Sequence, residues 1–431
     1  MAARFMRHVS AIIRGNRTSR LDTNSRDMKI FSGSDHKYEK PPFYNDIDTI
    51  GSAVTVLAPC ITARVLCELN EAKRETEKRM ATGAADSESR DRTMMAQYGQ
   101  EIFDYMREME IKMLPNPHYM DDQTDIQWSM RSDLIDWLVQ VHARFRLRPE
   151  TLFLTVNYMD RFLGCRAVSR EKLQLVGAAA LLIASKFGDV KYPSPHAIFR
   201  VMDEAYDMED ILKAERFMLG TLNFELGWPD PLGFLRRISK ADNYDLETEK
   251  MAKYFLEVTI MDQRFVASPP SFLAAGAHCL SRLLLNKGNW TKAHIHYSGY
   301  TWSQLGPLVR IMMECCEQPR FHHPAIFEKY SKRRLQKEST IAQRVQRTLD
   351  AGFFFPQCLD PVQSTRRVDL EPIHESKLVA LSLQNSSSIG TSALLGDGRF
   401  RRSLVGKLAD GLMRWRGRVL TTPSLCKGDE Q

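Results

Sequence analysis

Apolar residues recur at helical spacing through most of the middle of the chain. Tyr98, Ile102, Met106, Met109 and Met113 form a first stripe, which ends before Pro115 and Pro117. Met130, Leu134, Trp137, Leu138, Val141 and Phe145 form a second. Pro149 opens a third helix with Leu152, Val156, Met159 and Leu163 inward, because proline suits a first helical turn. Residues 173–187 are apolar on nearly every side, which places that helix at the centre of a bundle. Its Gly and Ala residues let neighbouring helices come close. Shorter helices are predicted near 195–203 and 208–222. Trp228-Pro229-Asp230-Pro231 breaks the pattern, and helical spacing resumes over 232–240, 246–262, 270–285, 302–315 and 323–331. No stretch alternates as a strand would. The fold is therefore expected to be all-α, with two tandem bundles of about 100–130 residues, each large enough for its own core.

The two ends read differently. Residues 1–40 are polar, rich in Arg and Ser, and carry no acid before Asp22. That composition fits a disordered basic arm or a mitochondrial transit peptide. A short helix is expected within 52–70, and a charge-rich linker over 71–93. The tail from Lys332 holds a Ser/Gly/Asn stretch at 382–398 and basic clusters at Arg399–Arg402 and Arg414–Arg418, so it reads as flexible with one or two short helices. The expected organisation is 1–91 mostly disordered, 92–228 first bundle, 229–345 second bundle, and 346–431 a basic, largely disordered tail.

Composition narrows the function classes. With 431 residues, 43% apolar and 26% charged, the chain resembles a soluble globular protein. The longest apolar run, 175–184, is short of the about 20 residues a bilayer span needs. The formal charge of +7 suggests nucleic acid at first. Partitioned, it is +2 over 1–91, −2 over 92–331 and +7 over 332–431. A near-neutral helical middle argues against a phosphate-tracking face. Eight scattered cysteines without a Cys-x-x-Cys motif read as reduced, structural thiols. His294/His296 and His322/His323 lack matching ligands nearby in sequence, so neither metal nor cofactor is expected. No phosphate loop, nucleophile elbow, zinc-protease motif or kinase catalytic loop is present. The chain reads as a binding module rather than an enzyme.

Two helices carry charges in unexpected places. Glu215 interrupts the stripe of Met208, Ile211, Leu212, Met218, Leu219 and Leu222, where a carboxylate is costly to bury without a partner. Lys186 ends the most apolar helix, where it suits the helix dipole. Glu215 either pairs with Lys186 or sits at a stripe edge in water. On the helix from Met130, the residues Met130, Asp133, Trp137 and Gln140 share one flank. They read either as ordinary core edge or as a shallow apolar groove.

Several motifs in order resemble those of one family. Met130-Arg131-Ser132-Asp133-Leu134-Ile135-Asp136-Trp137-Leu138 is similar to the cyclin-box signature. Asn157 to Leu163, Lys172 to Gly177, Ala184-Ser185-Lys186-Phe187 and Ala214-Glu215-Arg216-Phe217 resemble the helices that follow it. The segments Ile102 to Glu108, Pro115 to Met120 and Phe234 to Asp242 are similar to B-type cyclins, the last to the fungal mitotic class. The resemblance covers about residues 95–345. It implies two tandem five-helix cyclin folds with flexible extensions. It also implies a regulatory subunit that binds and activates a cyclin-dependent serine/threonine kinase at the G2/M transition, in nucleus and cytoplasm. Lys186, Phe187 and Glu215 would meet the kinase. Met130, Asp133, Leu134, Trp137, Gln140 and Gln174 would form the docking groove for Arg-x-Leu-type segments of substrates or inhibitors.

The chain departs from the family at three places. Asp133 stands where an aliphatic residue is usual. Gly188-Asp189 replaces a pair of acids and is expected to loosen the kinase-facing edge. No Arg-x-x-Leu or Lys-Glu-Asn degradation signal occurs in 1–91, although Arg367-x-x-Leu370 and Arg401-x-x-Leu404 occur in the tail. A cyclin fold that binds partners without activating a kinase is the alternative. Ser331 to Lys337 is read either as a nuclear import signal or as the solvated end of a helix.

Overall fold

A computed structural model describes residues 57–81, 98–202, 205–331 and 341–350, and every regular element among them is helical. Ala63–Ala81 (α1) and Gly99–Lys112 (α2) lead into a first bundle. That bundle comprises Trp128–Phe145 (α3), Pro149–Leu163 (α4), Leu173–Gly188 (α5), Pro195–Val201 (α6) and Met208–Thr221 (α7). The second comprises Pro231–Ser239 (α8), Leu246–Thr259 (α9), Pro270–Leu284 (α10), Lys292–Ser298 (α11) and Trp302–Glu314 (α12). Pro319–His322 (α13), Pro324–Ser331 (α14) and Ile341–Asp350 (α15) follow. The tandem five-helix architecture expected from the sequence is present. No described helix is long and apolar enough to cross a membrane.

Each bundle is built around one helix with no solvent face. In α5 every residue from Leu173 to Ser185 is buried, and in α10 nearly all of Pro270–Leu284 is. A glycine lets a neighbour in at the tightest point of each. A Cβ on Gly177 would lie 2.9 Å from Leu134 Cδ1 of α3. One on Gly276 would collide with Leu308 of α12. The close approach read from Gly and Ala in α5 therefore has a specific partner.

The two bundles are joined by buried polar contacts. Arg131 on α3 grips Asp160 on α4 with two bonds, Nε to Oδ1 at 2.8 Å and Nη2 to Oδ2 at 2.7 Å. Its third nitrogen donates to the Ile260 carbonyl of the second bundle at 3.0 Å. Beside it, Ser132 Oγ donates to the Met261 carbonyl at 3.1 Å, and Tyr119 OH donates to Asp160 at 2.8 Å. Farther along α3, Asp136 Oδ1 accepts the Ala325 N–H at 2.8 Å and so caps α14, which lies across α3. Lys329 and Tyr330 on α14 both bond Glu257 of α9.

The structure corrects the sequence reading at several boundaries. The N-terminal helix runs over 63–81, through residues expected to be linker. It buries a narrow line of Val65, Ala72 and Thr76, while i,i+4 pairs such as Arg64–Glu68 serve its charged outer face. Lys292 on α11 bonds Glu71 at 2.6 Å and Glu75 at 2.9 Å. The segment before α1 is held as well, since Ser268 and Gln304 donate to the carbonyls of Leu57 and Cys60. Helix α11 went unrecognised because its buried side chains, His294 and Ser298, are polar, so it lacks an apolar stripe. Helix α15 passes the expected boundary at 345, because Ala342 and Val345 are buried and Arg344 pairs with Glu247. The basic arm, most of the import run and the tail clusters lie outside the described residues.

Asp230 caps α8 at the junction of the bundles, accepting the Leu232 N–H at 2.8 Å. Burial, aided by the charge of Glu150, pushes its carboxyl up to about 6 against backbone hydrogen bonds that pull it down. The native state then holds this proton at a pH where the unfolded chain has released it, so stability falls as pH rises from about 4 to about 6. Asp230→Asn keeps a helix cap and is expected to remove that slope from urea midpoints measured between those pH values. Arg131→Ala strands a buried carboxylate, and the unfolding free energy is expected to fall by about 3–5 kcal/mol. An unfolding curve identical to the parent's would show that the pair does not hold the fold.

Candidate functional site

Lys186 lies in the last turn of α5, and Glu215 lies on the buried face of α7 between Ile211 and Leu219. The two helices pack side by side, and Lys186 Nζ donates to Glu215 Oε1 at 2.6 Å. Only 6% of the Glu215 side chain reaches solvent, against 17% for Lys186. Of the two readings left open by the sequence, pairing is the one observed. An ammonium carries three donors, so Lys186 can serve an acceptor on a partner without leaving Glu215.

An apolar strip follows directly in sequence. Phe187 is 37% exposed, Val190 97% and Tyr192 52%. Exposed large apolar side chains that follow a shielded ion pair so closely in sequence suit a partner surface.

The Gly188-Asp189 pair, expected to loosen this edge, is instead held against α4. Asp189 Oδ1 accepts the Arg148 backbone N–H at 3.0 Å, and Oδ2 accepts the Thr151 hydroxyl at 2.6 Å. Arg148 Nη1 donates to the Gly188 carbonyl at 3.2 Å. A Cβ on residue 188 would stand 3.3 Å from Thr151 Oγ1, a distance that presses on the same hydroxyl.

The residues assigned to a docking groove separate by depth. Leu134 is buried against Gly177 of α5, Trp137 is buried, and Gln174 is buried at the start of α5. Met130 and Gln140 are half-buried, and Asp133 is exposed. Gln140 donates its side-chain amide to Asp136 Oδ2 at 3.0 Å. Trp137 is only 4% exposed, and its indole N–H is buried without a hydrogen-bond partner among the described residues. Partial burial raises the Asp133 carboxyl, and burial followed by the charge of Asp133 raises that of Asp136. The helix flank thus presents Met130 and a carboxylate, with the indole beneath.

Side chains able to bind metal come together in two places that local spacing did not reveal. Asp242 meets His278 at 2.9 Å and His294 at 3.1 Å. Asp262, Cys315 and His322 form the second cluster. In each an arginine already holds the carboxylate, Arg282 on Asp242 and Arg264 on Asp262, the latter at 2.8 Å. Burial pushes Asp242 up, yet the bonds from His278, His294 and Arg282 hold it well below the ordinary carboxylate range. A dication would face a guanidinium on the same carboxylate, so both clusters read as partly buried ion-pair networks.

Sequence reasoning missed the structural role of Arg131 and Asp160, although both stand inside the motifs that carry the resemblance. It also missed the hold of Arg148 and Thr151 on Asp189, which it had read only as part of a loosened edge. Their contacts span about 40 residues and leave no periodic trace.

A model of the cyclin N-terminal domain matches residues 101–227, and one of the cyclin C-terminal domain matches 229–344. G2/mitotic-specific cyclin-4 of Candida albicans is 54% identical over 277 residues, covering 64% of this chain and 57% of that protein. G2/mitotic-specific cyclin-4 of Saccharomyces cerevisiae is 40% identical over 319 residues, covering 72% of this chain and 69% of that protein. G2/mitotic-specific cyclin-B of Emericella nidulans is 46% identical over 254 residues, covering 59% of this chain and 53% of that protein. The chain thus spans between about half and two thirds of the length of these relatives. With both domains matched in order and the signature residues assembled in one helical core, the chain belongs to the cyclin family, as a B-type member similar to the fungal G2/mitotic cyclins.

Proposed function

We propose that this chain is a regulatory subunit, itself without catalytic activity, that binds and activates a cyclin-dependent serine/threonine kinase and promotes the G2/M transition. The observation that carries this reading is the Lys186–Glu215 pair set beside exposed Phe187, Val190 and Tyr192. Relatives whose names mark them as G2/mitotic-specific cyclins support the timing.

The chemistry asked of the surface is modest. A protein kinase is active only when the glutamate of its C-helix pairs with the lysine of strand β3. A face that buries apolar side chains against that helix, and offers charged partners to its backbone ends, binds the inward position best. The equilibrium shifts by as much as the two conformations differ in affinity. The strip supplies the apolar area, and Lys186 and Glu215 supply a donor and an acceptor whose mutual pairing keeps them solvated by each other until the partner arrives.

The α3 flank is the second part of the proposal. It takes short Arg-x-Leu-type segments of substrates or inhibitors, with a basic residue near Asp133 and an apolar one against Met130. A backbone carbonyl on the Trp137 indole would satisfy a donor whose burial alone costs about 1–3 kcal/mol. Location in nucleus and cytoplasm belongs to the same reading. Its support is the basic run Lys332 to Lys337, which lies outside the described residues.

Lys186→Ala and Glu215→Ala are each expected to reduce stimulated phosphorylation by a purified cyclin-dependent kinase catalytic subunit about tenfold or more, the effect of losing a charge-assisted hydrogen bond at an interface. Full stimulation by both variants would overturn the assignment. Partner binding with no stimulation by the parent chain would favour the alternative, a cyclin fold that binds without activating. Asp133→Lys, at an exposed position, is expected to weaken a fluorescent Arg-x-Leu peptide several-fold at low salt and less at high salt.

A further inference from the structure

The loop from Asp189 to Ser194 has an unusual balance of order and exposure. Val190 is almost fully exposed and Tyr192 about half, so burial does not fix the middle of the loop. Both ends, however, are tied. At the far end Pro193 is buried, and Ser194 Oγ accepts the Ala197 N–H at 3.2 Å to cap α6. At the near end both carboxylate oxygens of Asp189 are used on α4, by the Arg148 N–H and the Thr151 hydroxyl. The Arg148 guanidinium adds a bond to the carbonyl of Gly188.

We propose that Asp189 is a positioning residue, an internal latch that presets the 187–192 segment so that Phe187, Val190 and Tyr192 are presented to a partner already ordered. The proposal rests on the kinase-binding reading for the identity of that partner, but the latch itself is a property of the free chain. Its carboxylate points into the protein, toward a helix start whose N–H groups lack intrahelical acceptors. Residue 188 suits the latch because glycine leaves room for the Thr151 hydroxyl. Ordering a loop with rotamer-rich side chains opposes association, and that cost falls on folding rather than on binding when the loop is tied beforehand. Asp189 therefore acts through the residues beside it rather than by touching the partner.

Two variants separate positioning from contact. Asp189→Ala removes the carboxylate. Thr151→Val removes one of its donors at a position that is 0% exposed and cannot touch a partner. Thr151→Ser restores the hydroxyl and serves as the rescue. The first readout is amide hydrogen exchange of Arg148, whose N–H Asp189 accepts, and of residue 189 itself, in the free full-length chain. The second is the chain concentration that half-activates a purified cyclin-dependent kinase catalytic subunit, taken together with the maximal rate.

Exchange is expected to speed up about tenfold in both Asp189→Ala and Thr151→Val, with buried amides of α5 unchanged. Half-activation is expected to need about five- to tenfold more chain, with the maximal rate kept and Thr151→Ser behaving as the parent. Unchanged exchange in both variants overturns the latch. Weakened activation by Asp189→Ala alone, with Thr151→Val like the parent, makes Asp189 a direct contact and overturns positioning. Faster exchange with unchanged half-activation overturns it too. If the parent chain activates no kinase while exchange still responds, the latch stands and the kinase reading falls.

Discussion

Arg131 and Asp160 bury opposite charges at the point where the two bundles meet, and the arrangement of the chain depends on their being satisfied together. Breaking a buried pair leaves a charge with no water to receive it. The guanidinium here spends two nitrogens on the carboxylate and one on a carbonyl of the second bundle. Burial alone disfavours the charged form of Arg131, and Asp160 more than restores it. Fixed bond directions make the junction specific in a way apolar packing is not. The second bundle is thereby set against α3, the helix that also carries Met130, Asp133 and Trp137. α4 is set as well, and its start receives Asp189.

Much of the architecture was readable because it repeats. α5 is apolar all round and announces itself as a bundle centre, whereas 270–285 shows only helical spacing in sequence and the structure gives α10 the equivalent central place. The Pro-rich junction at 228–231 announces the boundary, and Pro231 with Asp230 opens α8 as helix-start chemistry dictates. Helix α1 was only half read, since its buried line is one residue per turn or less and its small residues bury little area. Helix α11 was not read at all. Its inward residues are His294 and Ser298, which a hydrophobic pattern passes over.

The site was legible to the extent that charge violated the apolar pattern. Glu215 stood out because it breaks a stripe, and the structure gives it Lys186. Asp189 breaks no apolar stripe, and as a departure from the family motif it suggested loosening rather than a tie. Its meaning comes from Arg148 and Thr151, which only the fold brings to it. The His278–Asp242–His294 cluster is similar. Each residue alone is unremarkable in sequence, yet a half-buried carboxylate with three donors forms where α10 and α11 converge just past the end of α8.

Asp136 and Ala325 are separated by 189 residues. A ribosome adding about 5–20 residues per second needs roughly 10–40 s to cover that distance. During that interval α3 has been made but α14 has not, and the Asp136 carboxylate has no backbone N–H to accept. This contact of α3 is thus completed by almost the last described helix to emerge. A nascent or prematurely ended chain would present an altered α3 surface, because Asp136 would lack the acceptor role that α14 gives it.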